Sequence, residues 1–188
     1  MAPAAGDGVF VRRDLLAPLD LLRVLGALER LSASWAPSQA LGLLGRGQTN
    51  QVRATNIAAQ AALDEVRALL ATATLRQAQA CGFAFAAPPH LQLFPVRMIG
   101  DRARPAFQEP HTDSAADRPE PPTCTSVFYV SARDIAGGEL AVAPRDPRGS
   151  PLILRPVANT LVSFSGDRVH WVQPLYAGER VSVVVNLY

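Results

Sequence analysis

The first part of the chain places hydrophobic residues at spacings of three and four, the pattern of helices that bury one face. It predicts a helix over roughly Asp14–Leu31, with Pro18 in the first turn, where a missing N–H costs little. A second helix is predicted over about Ile57–Ala80, with Gly82 as its stop. Residues 42–50, between the two helices, are polar and contain glycine, which predicts a loop.

After Gly82 the chain changes to short apolar runs separated by turn residues, which is typical of strands. Seven strands are predicted: Leu91–Ile99, Thr125–Ala132, Glu139–Ala143, Leu152–Arg155, Asn159–Phe164, His170–Pro174 and Arg180–Leu187. Residues 102–122 hold five prolines and many polar side chains, so we expect them to be largely loop. Short, regularly spaced strands favour an antiparallel sandwich or barrel.

The length of 188 residues suits one domain. We therefore predict a single domain over residues 1–188, of a class that is mainly β with some α structure. A helical region, residues 1–82, would support a jelly-roll-like barrel formed by residues 83–188.

Composition excludes several kinds of chemistry. All 18 basic residues are arginine, so no lysine is present for a Schiff base or a phosphate-binding loop. The net charge is only +2 and the arginines are scattered, which argues against nucleic-acid binding. Two cysteines provide neither a disulfide framework nor a zinc pattern, and a reducing compartment fits them.

The N-terminus reaches charged residues before any long apolar run, so no signal peptide is expected. No stretch approaches the ~18 uninterrupted apolar residues that a membrane helix needs. We expect a cytoplasmic protein that has no membrane partner.

A metal site is predicted from the few histidines of the chain. His111 is followed two residues later by Asp113, and in an extended segment these two side chains point to the same face. His170, at the start of a later predicted strand, would complete a set of two histidines and one carboxylate. Such a set leaves coordination positions open and favours non-haem Fe(II) oxygen chemistry over structural zinc.

An anion site is predicted close by. Arg180 and Ser182 share one face if residues 180–187 form a strand. A guanidinium inside a barrel needs an anionic partner, because an unpaired buried charge is costly. Its planar fork, beside a serine hydroxyl, suits a carboxylate held through two hydrogen bonds.

These residues together resemble the 2-oxoglutarate and Fe(II)-dependent dioxygenases, in particular their prolyl-4-hydroxylase-like branch. The resemblance rests on four motifs: His111-Thr112-Asp113, Gly137-Gly138-Glu139-Leu140, His170 and Arg180-Val181-Ser182. It covers residues 91–188 well and the helical N-terminal half loosely.

The resemblance implies a double-stranded β-helix and an enzyme that uses Fe(II), 2-oxoglutarate and O₂, with ascorbate as an optional reductant. It implies three iron ligands: His111, Asp113 and His170. It implies four residues around 2-oxoglutarate, with Arg180 and Ser182 at the far carboxylate and Thr125 and Asn186 along the pocket. Because Asp113 is present, hydroxylation is favoured over halogenation.

Two features depart from the family pattern. Members often carry a tyrosine after the arginine in the strand before the metal motif, but here Arg97 is followed by Met98. The run from Gly100 to His111 is also longer than in many relatives.

Four arginines lie near the expected mouth of the barrel. Each is expected to be a solvated surface residue unless it binds an anionic group of the substrate: Arg97, Arg102, Arg104 and Arg168.

The favoured hypothesis is a hydroxylase of an unactivated C–H bond in an amino-acid-like small molecule or a peptide, with release of succinate and CO₂. The alternatives are a prolyl or aminoacyl hydroxylase of a protein substrate, and a sensor module that binds metal and 2-oxoglutarate without turnover. A metal-dependent isomerase or hydrolase on a cupin-like barrel is a third alternative, but it leaves Arg180 without a role. Substrate identity and oligomeric state are left open.

Overall fold

The computed structural model describes residues 4–31, 35–37, 50–52, 57–85, 89–113 and 120–188. The elements are β1 (Ala4–Gly6), β2 (Val9–Arg13), α1 (Pro18–Arg30), β3 (Trp35–Pro37), β4 (Asn50–Val52), α2 (Ile57–Ala80), β5 (Leu91–Ile99), β6 (Ala106–His111), β7 (Cys124–Gly137), β8 (Leu140–Val142), β9 (Leu152–Leu154), β10 (Thr160–Phe164) and β11 (His170–Leu187). Within these ranges, neither helix is apolar enough over a sufficient length to cross a membrane.

The described strands pair antiparallel in one curled sheet. Its main path runs β1-β2-β10-β7-β11-β5-β4-β3. The 18-residue strand β11 connects the two layers of this jelly roll. Its first residues pair with β6 and β8, and the rest of the strand pairs with β5 and β7. The expected mainly β, double-stranded β-helix class is thus confirmed.

The last part of β11 separates the helix-facing side of the sheet from the barrel interior. Its pairing with β5 is regular from Glu179 to Leu187, so alternate residues keep to one face. Val181, Val183, Val185 and Leu187 pack in the cluster that includes both helices. Arg180, Ser182, Val184 and Asn186 therefore share the interior face, as the sequence predicts.

Several elements follow their predicted bounds. Strand β5 and helix α2 do so at both ends. Helix α1 differs from its predicted start, because it begins at Pro18 and not at Asp14; proline is favoured in the first turn of a helix. Gly82 has a φ of +87°, which suits the end of a helix. Most of the predicted loop at residues 42–50 lies outside the described residues.

Several expectations differ from the structure, and three of them affect the barrel sheet most directly. Residues 9–13 belong to the predicted helical region, yet they form β2 and pair with β10, so the N-terminus extends the barrel sheet. Residues 106–111 fall in the predicted loop but form β6; there Pro110 is tolerated because β6 pairs on one side only, with β11. The two predicted strands at residues 170–174 and 180–187 are one continuous strand.

Candidate metal and cosubstrate site

Three predicted metal ligands converge at the open end of the β6–β11 pair. His111 ends β6, His170 begins β11, and the two residues are register partners. The Nε2 atoms of both imidazoles lie 3.7 Å from Asp113 Oδ1. One ligand atom from each residue falls within 4.8 Å of the others, which is close enough to hold a single metal ion.

Both imidazoles are held in the tautomer that metal binding requires. Nδ1 of His111 donates to the carbonyl of Glu109 at 2.7 Å, and Nδ1 of His170 donates to the carbonyl of Arg168 at 3.0 Å. A carbonyl oxygen only accepts, so each Nδ1 carries a proton, and in the neutral imidazole the lone pair is on Nε2, the atom that faces Asp113. Histidines that bind a metal usually donate their other ring N–H to a carbonyl or carboxylate in this way.

The carboxylate of Asp113 is oriented by a threonine. Thr125, at the start of β7, donates its hydroxyl hydrogen to Oδ2 of Asp113 at 2.9 Å and leaves Oδ1 directed at the two histidines. Thr125 is fully buried, and the Asp113 side chain is 10% exposed, so the hydrogen bond is partly shielded from water. The resemblance predicted Thr125 along the cosubstrate pocket; that contact stays a prediction, while the structure assigns it an orienting role.

Burial of His170 disfavours the charged form of its imidazole. Burial lowers the pKa of its imidazole, and the nearby His111 lowers it further, while Asp113 and the Arg168 carbonyl oppose the shift. A neutral imidazole is the form that binds a metal. The site combines two imidazoles with one carboxylate, a donor set that suits a divalent iron.

The second predicted feature is a buried cation on the interior face of β11. Arg180 is 3% exposed, and its guanidinium lies 4.9 Å from the ring centroid of Tyr129. Nη1 donates to the Gly138 carbonyl at 3.0 Å and lies 3.8 Å from the sulfur of Met98. Nε has no hydrogen-bond partner, and no carboxylate of the described residues forms an ion pair with this guanidinium.

An unpaired guanidinium in this position is unfavourable unless a ligand completes it. Burial lowers the pKa of Arg180, and the charges of Tyr129 and Glu139 partly offset this effect. Two more buried polar atoms in the interior lack partners: the hydroxyl of Tyr129 and Oδ1 of Asn186. Ser182, 1% exposed, lies on the same face between Arg180 and Asn186.

Tyr129 is a candidate site residue that the sequence analysis missed. Tyr129 lies four residues after Thr125 on β7. The pairing of β7 with β10 is regular over this stretch, so the two side chains share one face of the strand. The two-residue repeat of a strand was the signal that could have identified Tyr129, because counting in steps of two from Thr125 reaches Tyr129. The two parts of the site, at Asp113 and at Arg180, are thus connected by one face of one strand.

The four arginines expected near the mouth of the barrel differ in burial and in their partners. Arg168, expected at the surface, is 7% exposed, and it donates to the Ala143 carbonyl and to both the carbonyl and the carboxylate of Asp7. That expectation is wrong because backbone acceptors enclose the side chain. Arg97 pairs with Glu179 on the helix-facing side, and Arg102 and Arg104 are exposed.

Comparison with known proteins agrees with this geometry. The sequence model of the 2OG-Fe(II) oxygenase superfamily matches residues 98–188, the range that contains all three candidate metal ligands and Arg180. No curated protein matches the chain.

Solved structures with the same fold cover nearly the whole chain. A prolyl-4-hydroxylase from Pseudomonas putida is 23% identical, covers 97% of this chain and 93% of its own, and has a TM-score of 0.66. A prolyl hydroxylase from Trichoplax adhaerens, solved with a peptide fragment of the hypoxia inducible factor oxygen degradation domain, is 15% identical, with coverages of 97% and 84% and a TM-score of 0.72. A 2OG-Fe(II) oxygenase family oxidoreductase from Burkholderia pseudomallei is 20% identical, with coverages of 96% and 85% and a TM-score of 0.68.

Proposed function

Because residues 98–188 of this chain belong to the 2OG-Fe(II) oxygenase superfamily, we propose that it hydroxylates an unactivated C–H bond of an amino-acid-like small molecule or a peptide. The protein is an Fe(II)- and 2-oxoglutarate-dependent dioxygenase. In the proposed reaction one oxygen atom of O₂ enters the substrate as a hydroxyl group. The other enters succinate, which forms with CO₂ from 2-oxoglutarate.

The proposed iron ligands are His111, Asp113 and His170. Their metal-facing atoms lie close together, and the hydrogen bonds at Nδ1 of both histidines and at Oδ2 of Asp113 hold them in that orientation. When bound, the iron supplies the oxygen chemistry, and the protein supplies three fixed ligands and open positions for the cosubstrate and O₂.

The observation that carries the proposal is the buried, incompletely paired guanidinium of Arg180. A carboxylate would complete its hydrogen bonding and neutralise its charge. Tyr129 and Ser182 place hydroxyl groups around the same position, because Ser182 and Tyr129 are register partners and the Tyr129 ring contacts the guanidinium. We assign these three residues to the far carboxylate of 2-oxoglutarate, and Asn186 to the pocket wall.

A peptide or an amino-acid-like molecule is proposed as substrate on two grounds. The Trichoplax adhaerens prolyl hydroxylase, which has the same fold, was solved with a bound peptide fragment. The His111 side chain is 22% exposed, whereas those of Asp113 and His170 are 10% and 5% exposed, so the candidate metal site borders solvent on the His111 side. A prolyl residue of a protein remains the alternative substrate.

The test is succinate production from 2-oxoglutarate by the Fe(II)-loaded protein, with and without ascorbate, over a panel of free amino acids and proline-containing peptides. We expect substrate-stimulated succinate formation and a mass increase of one oxygen atom in the substrate. His111→Ala should abolish both products because it removes an iron ligand, whereas His90→Ala, outside the site, should leave them unchanged.

Arg180→Ala should retain metal binding and lose 2-oxoglutarate binding, and the exposed Arg148→Ala serves as its matched control. Binding of metal and 2-oxoglutarate without succinate from any member of the panel would overturn the hydroxylase proposal in favour of a non-turnover module.

A further inference from the structure

Among the described residues, one side chain other than the three proposed ligands contacts a metal-facing atom. Nε2 of Gln108 lies 3.2 Å from Nε2 of His111. Gln108 belongs to β6, is half-buried, and has no part in the assignments made above.

A register shift in β6 puts Gln108 on this face. His170 pairs with His111 and Val172 pairs with Gln108, so a step of two residues along β11 matches a step of three residues along β6. In a regular strand, residues three apart point to opposite faces. The extra residue rotates the strand, so Gln108 and His111 both face the interior, and such irregularities commonly re-aim a side chain beside an active site.

The direction of the Gln108 hydrogen bond follows from the chemistry of its amide nitrogen, which can only donate. Nε2 of His111 is therefore the acceptor, while Nδ1 of His111 donates to the Glu109 carbonyl. The carboxamide of Gln108 therefore donates to the same lone pair that a metal ion requires. Once a metal takes that lone pair, the half-buried Gln108 donor is free to donate to another acceptor beside the metal, solvent included.

We propose that Gln108 is a positioning residue for a ligand from outside the protein that occupies the metal coordination position beside His111. The metal displaces the Gln108 carboxamide from Nε2 of His111, and the carboxamide then donates a hydrogen bond to that ligand. The ligand class is any hydrogen-bond acceptor, whether solvent, a dioxygen species or an oxygen of the substrate. The inference rests on the proposed function in one respect, namely that His111 binds a metal.

The test uses Co(II)-loaded protein with 2-oxoglutarate bound and azide as the probe of the remaining position, followed by visible absorption. Gln108→Leu removes the donor, and Gln108→Met does so in an unbranched side chain of similar length. We expect azide to bind both variants about tenfold more weakly than wild type, the effect of losing a hydrogen bond to an anion. Gln92→Leu, on β5, is the matched control and should leave azide binding unchanged.

Co(II) affinity, measured by calorimetry, separates this role from a merely structural one. A positioning residue for the exogenous ligand leaves Co(II) affinity within about twofold of wild type, because the new acceptor replaces the old one. Unchanged azide binding in both variants, or a tenfold loss of Co(II) affinity in both, would overturn the inference. Failure of the wild-type protein to bind Co(II) at all would instead overturn the proposed metal site.

Discussion

Thr125 donates a hydrogen bond to Asp113 Oδ2 across 2.9 Å, from a strand that begins eleven residues beyond the carboxylate. The bond leaves Oδ1 at 3.7 Å from Nε2 of both His111 and His170. A residue outside the proposed ligand set thereby sets which oxygen of Asp113 faces the two histidines.

Thr125→Val is expected to weaken Co(II) or Mn(II) binding by about tenfold or more, because loss of a group that orients a ligand typically costs 10–100-fold in metal affinity. Valine has nearly the same shape, so the fold should be kept. Calorimetric metal titration measures the effect. Thr160→Val, at another buried threonine on β10, is the matched control; equal effects of the two variants would contradict the orienting role.

Tyr129→Phe should change stability and cosubstrate binding in opposite directions. The Tyr129 hydroxyl is fully buried without a partner, so its removal should leave the free energy of unfolding unchanged or raise it by about 1 kcal/mol. If the hydroxyl contacts 2-oxoglutarate, the Kd for 2-oxoglutarate should rise about five- to tenfold. Urea unfolding and calorimetry on the Mn(II)-loaded protein test both parts, with the exposed Tyr176→Phe as control. An unchanged Kd would remove Tyr129 from the proposed pocket.

Asp7 should contribute a pH-dependent part of the stability. Its pKa is lowered below the usual 3.8, first by the hydrogen bond from the Arg145 N–H and then by the charge of Arg168. Because the folded-state pKa is the lower one, the stabilisation is present above about pH 4 and is lost as the pH falls through the folded-state pKa. The melting temperature of Asp7→Asn should thus lie below that of wild type at neutral pH, and the difference should shrink in acid.

The matched control for Asp7 is Asp14→Asn. Asp14 is also exposed and also has a positive φ, but no ion pair joins it to the described residues. A Tm difference between Asp7→Asn and wild type that stayed constant down to about pH 2 would show that the charge of Asp7 is not responsible.

The two cysteines should differ in reactivity. Burial raises the pKa of the Cys124 thiol to about 12, and the side chain is fully buried. Burial raises the pKa of Cys81 as well, but Cys81 is partly exposed. Iodoacetamide at pH 8 should therefore label Cys81 alone in the native protein and both residues in urea, as counted by mass spectrometry. Equal native labelling rates would contradict the packing of Cys124.

The glycine pair before β8 should tolerate no side chain at its first position. Gly137 has a φ of +85°, and a Cβ there would overlap the carbonyl oxygen of Pro174. Gly82 has a nearly equal φ of +87°, but its Cβ would meet nothing within 4 Å. Gly82→Ala should cost about 1 kcal/mol through backbone strain alone. Gly137→Ala should cost measurably more in urea unfolding; equal losses would show that strain, and not the overlap, dominates.

Patterns that act over a few residues were enough to predict much of this protein. Strand β5 and helix α2 follow from the period of their hydrophobic positions, and the grouping of Arg180 with Ser182 and Asn186 follows from strand alternation. The candidate ligands His111, Asp113 and His170 were identified by residue type, spacing and resemblance, because few chemistries use that combination.

Contacts between segments that are distant in sequence could be identified only from the tertiary structure. The hydrogen bond from Thr125 to Asp113, the enclosure of Arg168 by Asp7 and Ala143, and the pairing of β2 with β10 all join residues whose proximity no local pattern records. The register shift that aims Gln108 at His111 is likewise a property of the β6–β11 pair. The sequence alone predicted which residues would bind a metal and an anion, since periodicity and residue chemistry are local. The tertiary structure alone decided which atoms orient those residues, since hydrogen bonding between strands depends on how the chain folds back.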